Sequence, residues 1–147
     1  MRVLLGLAVL APSCFGQTYG TWKLDSARSS FTRETRPKSL TLRIGQHPKG
    51  EVLTVDRVER DGRITSSSTV LYLDGAPHEF QDFGCAGKQS SRRIDSQTVE
   101  ILRVCESGEW IRTTRRSAPQ PNELVLEIVV YEPGGRQFED RLVLKRQ

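Results

Sequence analysis

The run Glu123-Leu124-Val125-Leu126-Glu127-Ile128-Val129-Val130-Tyr131-Glu132, then Pro133-Gly134-Gly135, then Arg136-Gln137-Phe138-Glu139-Asp140-Arg141-Leu142-Val143-Leu144-Lys145, decides the fold class. Leu124, Leu126, Ile128 and Val130 share one parity, as do Phe138, Leu142 and Leu144 in the second segment. Side chains two residues apart lie on one face of a β-strand, so each segment has one apolar face. The Pro-Gly-Gly step reverses the chain, and so short a connection joins antiparallel neighbours.

The same punctuation recurs about every 8 to 12 residues, as expected of an all-β chain. Turn chemistry appears at His47-Pro48-Lys49-Gly50, Asp61-Gly62, Asp74-Gly75, Asp95-Ser96-Gln97, Ser107-Gly108 and from Ala118 to Asn122. Strands are predicted at Tyr19–Asp25, Ser39–Gln46, Glu51–Arg60, Arg63–Leu73, Pro77–Phe83, Lys88–Ile94, Thr98–Cys105, Glu109–Ser117, Glu123–Glu132 and Arg136–Lys145. The two Asp-Gly pairs read as tight hairpin turns. Only Ser26 to Lys38 breaks the rhythm, as a long link with room for one helical turn. An antiparallel meander of about 8 to 10 strands leaves exposed edges and a twist that curls, and closing into a barrel resolves both. The central strands, such as Ile64 to Val70 and Trp110 to Arg115, carry small or polar residues on both parities. A barrel lined by them is expected to be partly filled and partly wet.

Met1-Arg2, the apolar Val3 to Ala11 and the small Gly16 read as a secretory signal over residues 1–16. A single domain then runs from Gln17 to Gln147. An apolar run of about 9 residues is too short for a membrane span of about 20. Lipidation at Cys14 is the rival reading, although Ala11-Pro12-Ser13 lacks the bulky aliphatic residue usual before such a cysteine. Removal of residues 1–16 leaves Cys85 and Cys105, an even number that suits an oxidising compartment and one disulfide; two buried free thiols are the alternative. A hairpin turning at Asp95-Ser96-Gln97 brings the two cysteines within about two residues of direct opposition, an offset that a bulge at Gly84 or Gly87 would absorb.

The 22 basic and 18 acidic residues give a mild net charge of +4. Most of the basic residues are arginines alternating with Thr, Ser or Glu, the pattern of a solvated sheet face, and the aromatics are too sparse and too separate for a nucleic-acid surface. His47 and His78 are far apart and no set of three or four metal ligands converges, so neither a metal site nor a cofactor is expected. Ser66-Ser67-Ser68 lacks the glycine-flanked elbow of a nucleophilic serine.

Gly20-Thr21-Trp22-Lys23-Leu24, at the first strand of a chain that is nearly all strand and turn, resembles the Gly-x-Trp start of lipocalin-type barrels. The whole mature chain is similar to small secreted lipocalin-like proteins of bacteria. That resemblance implies a barrel whose floor is plugged by Trp22 beneath a basic residue of the last strand, Arg141 or Lys145. The chain departs from the lipocalin pattern in ending on a strand and in its strand number, which is closer to the fatty-acid-binding branch. The Arg-x-Tyr clamp of that branch is not carried over, since Leu142-Val143 follows Arg141.

One carboxylate falls on an apolar parity: Asp140, with Phe138, Leu142 and Leu144. A buried carboxylate needs a partner, and Arg103 and Arg112 are mid-strand candidates on the parities of Ile101 and Trp110. Such a network either stabilises the barrel or leaves a guanidinium to hold an anionic head group. The expected function is non-catalytic binding of a small apolar or amphipathic molecule inside an exported barrel, periplasmic or extracellular. The alternative is an envelope interaction protein or inhibitor with a solid core, acting through its loops.

Overall fold

Alternation of apolar and polar residues produces ten strands: β1 (Gly20–Leu24), β2 (Ser39–His47), β3 (Gly50–Val58), β4 (Ile64–Leu71), β5 (His78–Asp82), β6 (Cys85–Arg93), β7 (Thr98–Cys105), β8 (Trp110–Ser117), β9 (Glu123–Tyr131) and β10 (Gln137–Arg146). The computed structural model describes residues 18–32, 36–117 and 122–147. The signal segment expected over 1–16, Cys14, the expected start at Gln17 and most of the turn from Ala118 to Asn122 lie outside the described residues.

Each strand pairs antiparallel with its sequence neighbours except at one place, giving the order β4-β3-β2-β1-β10-β9-β8-β7-β6-β5. The first and last strands meet, with Trp22 opposite Arg146 and Leu24 opposite Leu144, and curl the sheet into a nearly closed up-and-down barrel. The link after β1 forms a short 3-10 turn at Ser26–Arg28. It then rejoins β10 through paired backbone bonds between Ser30 and Arg141.

Asp74-Gly75 corrects the sequence reading. It is not a tight hairpin turn, because β4 and β5 are the two edges of the sheet and are not paired. Leu73 and Gly75 turn toward β6 instead, donating their backbone N–H groups to Ser91 Oγ (2.9 Å) and Ser91 O (2.9 Å). Side chains span the gap that remains. Gln89 Nε2 donates to Thr69 Oγ1 at 3.0 Å, and Ser68 N donates to Asp82 Oδ2 at 3.2 Å. Edge groups that would otherwise need a neighbouring strand are thereby partly satisfied.

Trp22, Leu40, Leu42, Ile44, Leu53, Leu71, Val99, Ile101, Leu124, Leu126, Leu142 and Leu144 form the core. Burying each contributes about 1.5–3 kcal/mol. Trp22 is 1% exposed and donates its indole N–H to Thr18 O at 2.9 Å, closing the end of the barrel where β1 begins. The basic residue above it is Arg146, whose Cζ lies 4.4 Å from the Trp22 ring and whose Nη1 donates to Tyr19 O. Arg141 and Lys145 are exposed. They share the outward parity, whereas Arg146 continues the inward parity of Leu142 and Leu144.

Cys85 and Cys105 form a disulfide with Cα atoms 5.2 Å apart. No bulge is needed. The β6–β7 ladder runs unbroken from Gly87 opposite Cys105 to Arg93 opposite Val99, and Cys85 reaches Cys105 diagonally. Gly87 makes the approach feasible, since a Cβ there would meet Val104 O at 2.0 Å.

Candidate functional site

Inward parity on six strands, β2, β3 and β7 to β10, leaves a cavity of about 160 Å³ above the Trp22 floor. Its walls are apolar, with Leu42, Leu53, Val55, Ile101, Leu126 and Leu142 facing one another. Phe31, from the link after β1, and Phe83, from the β5–β6 turn, stand at the open end. Phe83 has a φ of 52° and Gly84 one of 71°, the left-handed pair that a two-residue hairpin needs. That backbone turn places an aromatic ring over the cavity.

Three arginines and one aspartate enter this apolar space: Arg57, Arg103, Arg115 and Asp140. Arg103 donates through Nε to Gln89 Oε1 at 2.9 Å, and its guanidinium lies 4.6 Å from the Phe80 ring and 4.5 Å from the Phe83 ring. Burial pushes Arg103 down to about 10, with Asp82 acting in the opposite direction. Arg57 is paired with Glu59 at the rim.

Arg115 is the deepest cation. Its Nη2 lies 2.8 Å from Glu51 Oε2, and the two side chains are 2% and 1% exposed. Arg93 Nη2 reaches the other oxygen of Glu51 at 3.2 Å. Arg115 Nη1 is buried and has no hydrogen-bond partner among the described residues. A buried donor left unmatched costs about 1–3 kcal/mol, more on a charged group.

Of the sequence-predicted residues, Arg103 and Asp140 face the cavity and Arg112 does not. Arg112 lies on the outer face, where it donates to Tyr131 Oη at 3.0 Å. Its strand carries two parities of mixed character, and the inward one is Ile111, Thr113 and Arg115, with Trp110 turned to solvent. Asp140 is not engaged with Arg103 or Arg112. Its Oδ1 accepts from Thr32 N at 2.7 Å and from Thr32 Oγ1 at 3.1 Å, tying the segment that carries Phe31 against β10.

Glu51 and Arg115 were missed, although Glu51 gives the same signal as Asp140. It is a carboxylate on the parity of Leu53 and Val55. Among the described residues no group of three or more His, Cys, Asp or Glu side chains converges as metal ligands do, and no helix is long and apolar enough to cross a membrane.

The barrel is similar to a Schistosoma mansoni fatty acid binding protein solved in complex with arachidonic acid. The TM-score is 0.60 at 10% sequence identity, over 91% of this chain and 98% of that chain. No protein-family profile matches the sequence, and no curated protein matches it. The likeness therefore lies in the fold, which is that of the lipocalin and fatty-acid-binding-protein barrels.

Proposed function

We infer that this chain is an exported, non-catalytic binder of a small amphipathic molecule, held inside the barrel with its anionic end on Arg115. The observation that carries the reading is Arg115, a buried guanidinium whose Nη1 donor is unmatched, among the residues lining a cavity walled mainly by leucine, valine and isoleucine. A carboxylate or similar acceptor supplies the missing hydrogen bond with charge assistance, and the aliphatic walls take the apolar part. Arg57 and Arg115 are paired with Glu59 and Glu51, and Arg103, held by the neutral Gln89, is the lining cation that favours an anion over a cation. A dry cavity of roughly 150 Å³ holds a benzene-sized molecule, so the enclosed part of the ligand is of that order. Anything longer leaves between Phe31 and Phe83.

Export to the periplasm or the exterior fits the leader-like start and the disulfide. Mass measurement of the secreted chain, with an N-terminus at Gln17, tests it.

Binding is tested by native mass spectrometry of the purified chain and by titration with octanoate, benzoate and toluene. Octanoate or benzoate is expected to bind more tightly than toluene, and Arg115→Leu is expected to abolish that difference. Leu126→Phe, which fills the cavity, should remove binding of all three while the barrel stays folded. Failure of all three probes to bind would favour the solid-core alternative, in which the loops do the work.

A further inference from the structure

The outer face of β7, β8 and β9 carries a second concavity, separate from the barrel interior. Trp110 and Tyr131 are Cα partners across the β8–β9 ladder and are 50% and 36% exposed. With Leu102 on the neighbouring β7 and with Glu100, Arg112 and Glu132, they line a groove of about 550 Å³. That volume lies within the roughly 300–1,000 Å³ of small-molecule sites.

The groove is braced. Arg112 Nη2 donates to Tyr131 Oη at 3.0 Å, and its guanidinium lies 5.9 Å from the Tyr131 ring. Glu100 Oε1 accepts from Arg92 Nε at 3.1 Å. Tyr131 and Glu100 are thus held in place before any ligand arrives, which lowers the entropy lost on binding.

The edge groups select the ligand. A purely apolar molecule would take water from Glu100, Arg112 and Glu132 and return no hydrogen bond. A second copy of this chain on the same patch would bring the carboxylates of the two copies together, a like-charge arrangement that specific interfaces avoid. A folded protein partner needs about 800 Å² on each side, most of it beyond this groove. A pyranose meets both halves of the site. Its C–H face covers the electron-rich face of the indole, and its hydroxyls donate to the carboxylates and accept from the guanidinium.

We propose that the groove lined by Trp110 and Tyr131 binds a neutral saccharide of one to a few pyranose units, with Trp110 as the stacking platform and Glu100, Arg112 and Glu132 as hydroxyl partners. The same chemistry is offered by a free oligosaccharide and by an insoluble polysaccharide. The sequence holds two tryptophans, and Trp22 is 1% exposed, so a change in intrinsic fluorescence on adding a sugar reports on Trp110.

The test titrates the full chain with cellotriose, chitotriose and maltotriose, and pulls it down with cellulose and chitin. A saturable fluorescence change with at least one trisaccharide is expected. Trp110→Ala should weaken it about tenfold or more, Glu132→Gln should weaken it several-fold, and Leu126→Phe in the barrel interior should leave it unchanged. Trp110-dependent retention on a polymer without response to the trisaccharides assigns the polymer as the source and supports the proposal. No response to any of these sugars, or an equal response in Trp110→Ala, overturns it. So does concentration-dependent dimerisation that Trp110→Ala abolishes, which would assign the patch to self-association.

Discussion

Arg115 on β8 and Glu51 on β3, 64 residues apart in sequence, meet across the barrel interior with Nη2 2.8 Å from Oε2. Neither side chain is more than 2% exposed. The two strands are not ladder neighbours, so this pair, with Arg93 on β6, is a brace between opposite walls. Taking both charges out of water is expensive, and their attraction roughly offsets that cost only while both are present.

Breaking the pair should therefore be worse than replacing it. Glu51→Leu alone is expected to destabilise the chain by about 3–5 kcal/mol, because the buried Arg115 guanidinium loses its counter-charge. Glu51→Leu combined with Arg115→Leu should recover a large part of that loss. Urea unfolding of the two single variants and the double variant measures the coupling. Additive losses would mean that the pair does not act as a unit.

The disulfide staples the open end of the barrel. Cys85, Cys105 and Phe80 form a small buried cluster against Phe83 and Ile111. With the cysteines 20 positions apart in sequence, removing the bond should cost about 3 kcal/mol in the chain-entropy model. Cys85→Ala with Cys105→Ala, compared with the oxidised chain by thermal unfolding, checks the magnitude. Gly87→Ala should be more damaging than its size suggests, since the new methyl has no room beside Val104 O.

Gln89 holds the β4–β5 gap. It donates to Thr69 Oγ1 at 3.0 Å and accepts from Arg103 Nε at 2.9 Å. Gln89→Ala should cost about 1–3 kcal/mol, chiefly through the Arg103 donor left without its acceptor. Hydrogen exchange is expected to quicken first in β4 and β5, the strands whose edges lack a ladder partner.

Acid should weaken the turns before the core. Hydrogen bonds from the Ala76 and Gln97 backbone N–H groups hold Asp74 and Asp95 below the usual carboxylate range, and His78 and Thr98 add to this. A carboxylate with a lowered folded-state value contributes stability that is complete above its unfolded value and is lost as pH falls through the folded one. Asp74→Asn and Asp95→Asn should each flatten the stability profile on the acid side of about pH 4. Equal slopes in the variants and the parent chain would rule that contribution out.

Strand positions were legible because alternation is a local property. The parity of Leu124 to Val130 shows in the sequence whatever the strand pairs with. Asp140 was legible for the same reason, as one charged residue among apolar neighbours of its own parity. Arg112 was misplaced because β8 carries arginine on both parities, and Trp110, used as the inward marker, is half exposed. The Asp74-Gly75 turn misled because its glycine meets the conformational demand of a hairpin turn, yet the chain uses it to step across the gap to Ser91.

By itself the sequence determined the all-β class, strand segments at nearly their observed limits, and one pair of cysteines near enough to join. Each follows from side-chain period, turn chemistry or spacing, which neighbouring residues set among themselves. Only the tertiary structure decided that β1 closes on β10 and not β4 on β5, that Arg146 and not Arg141 covers Trp22, and that Arg115 and Glu51 meet inside. Those outcomes depend on which walls of the cylinder face each other, and closure brings together groups whose separation along the chain leaves no local trace.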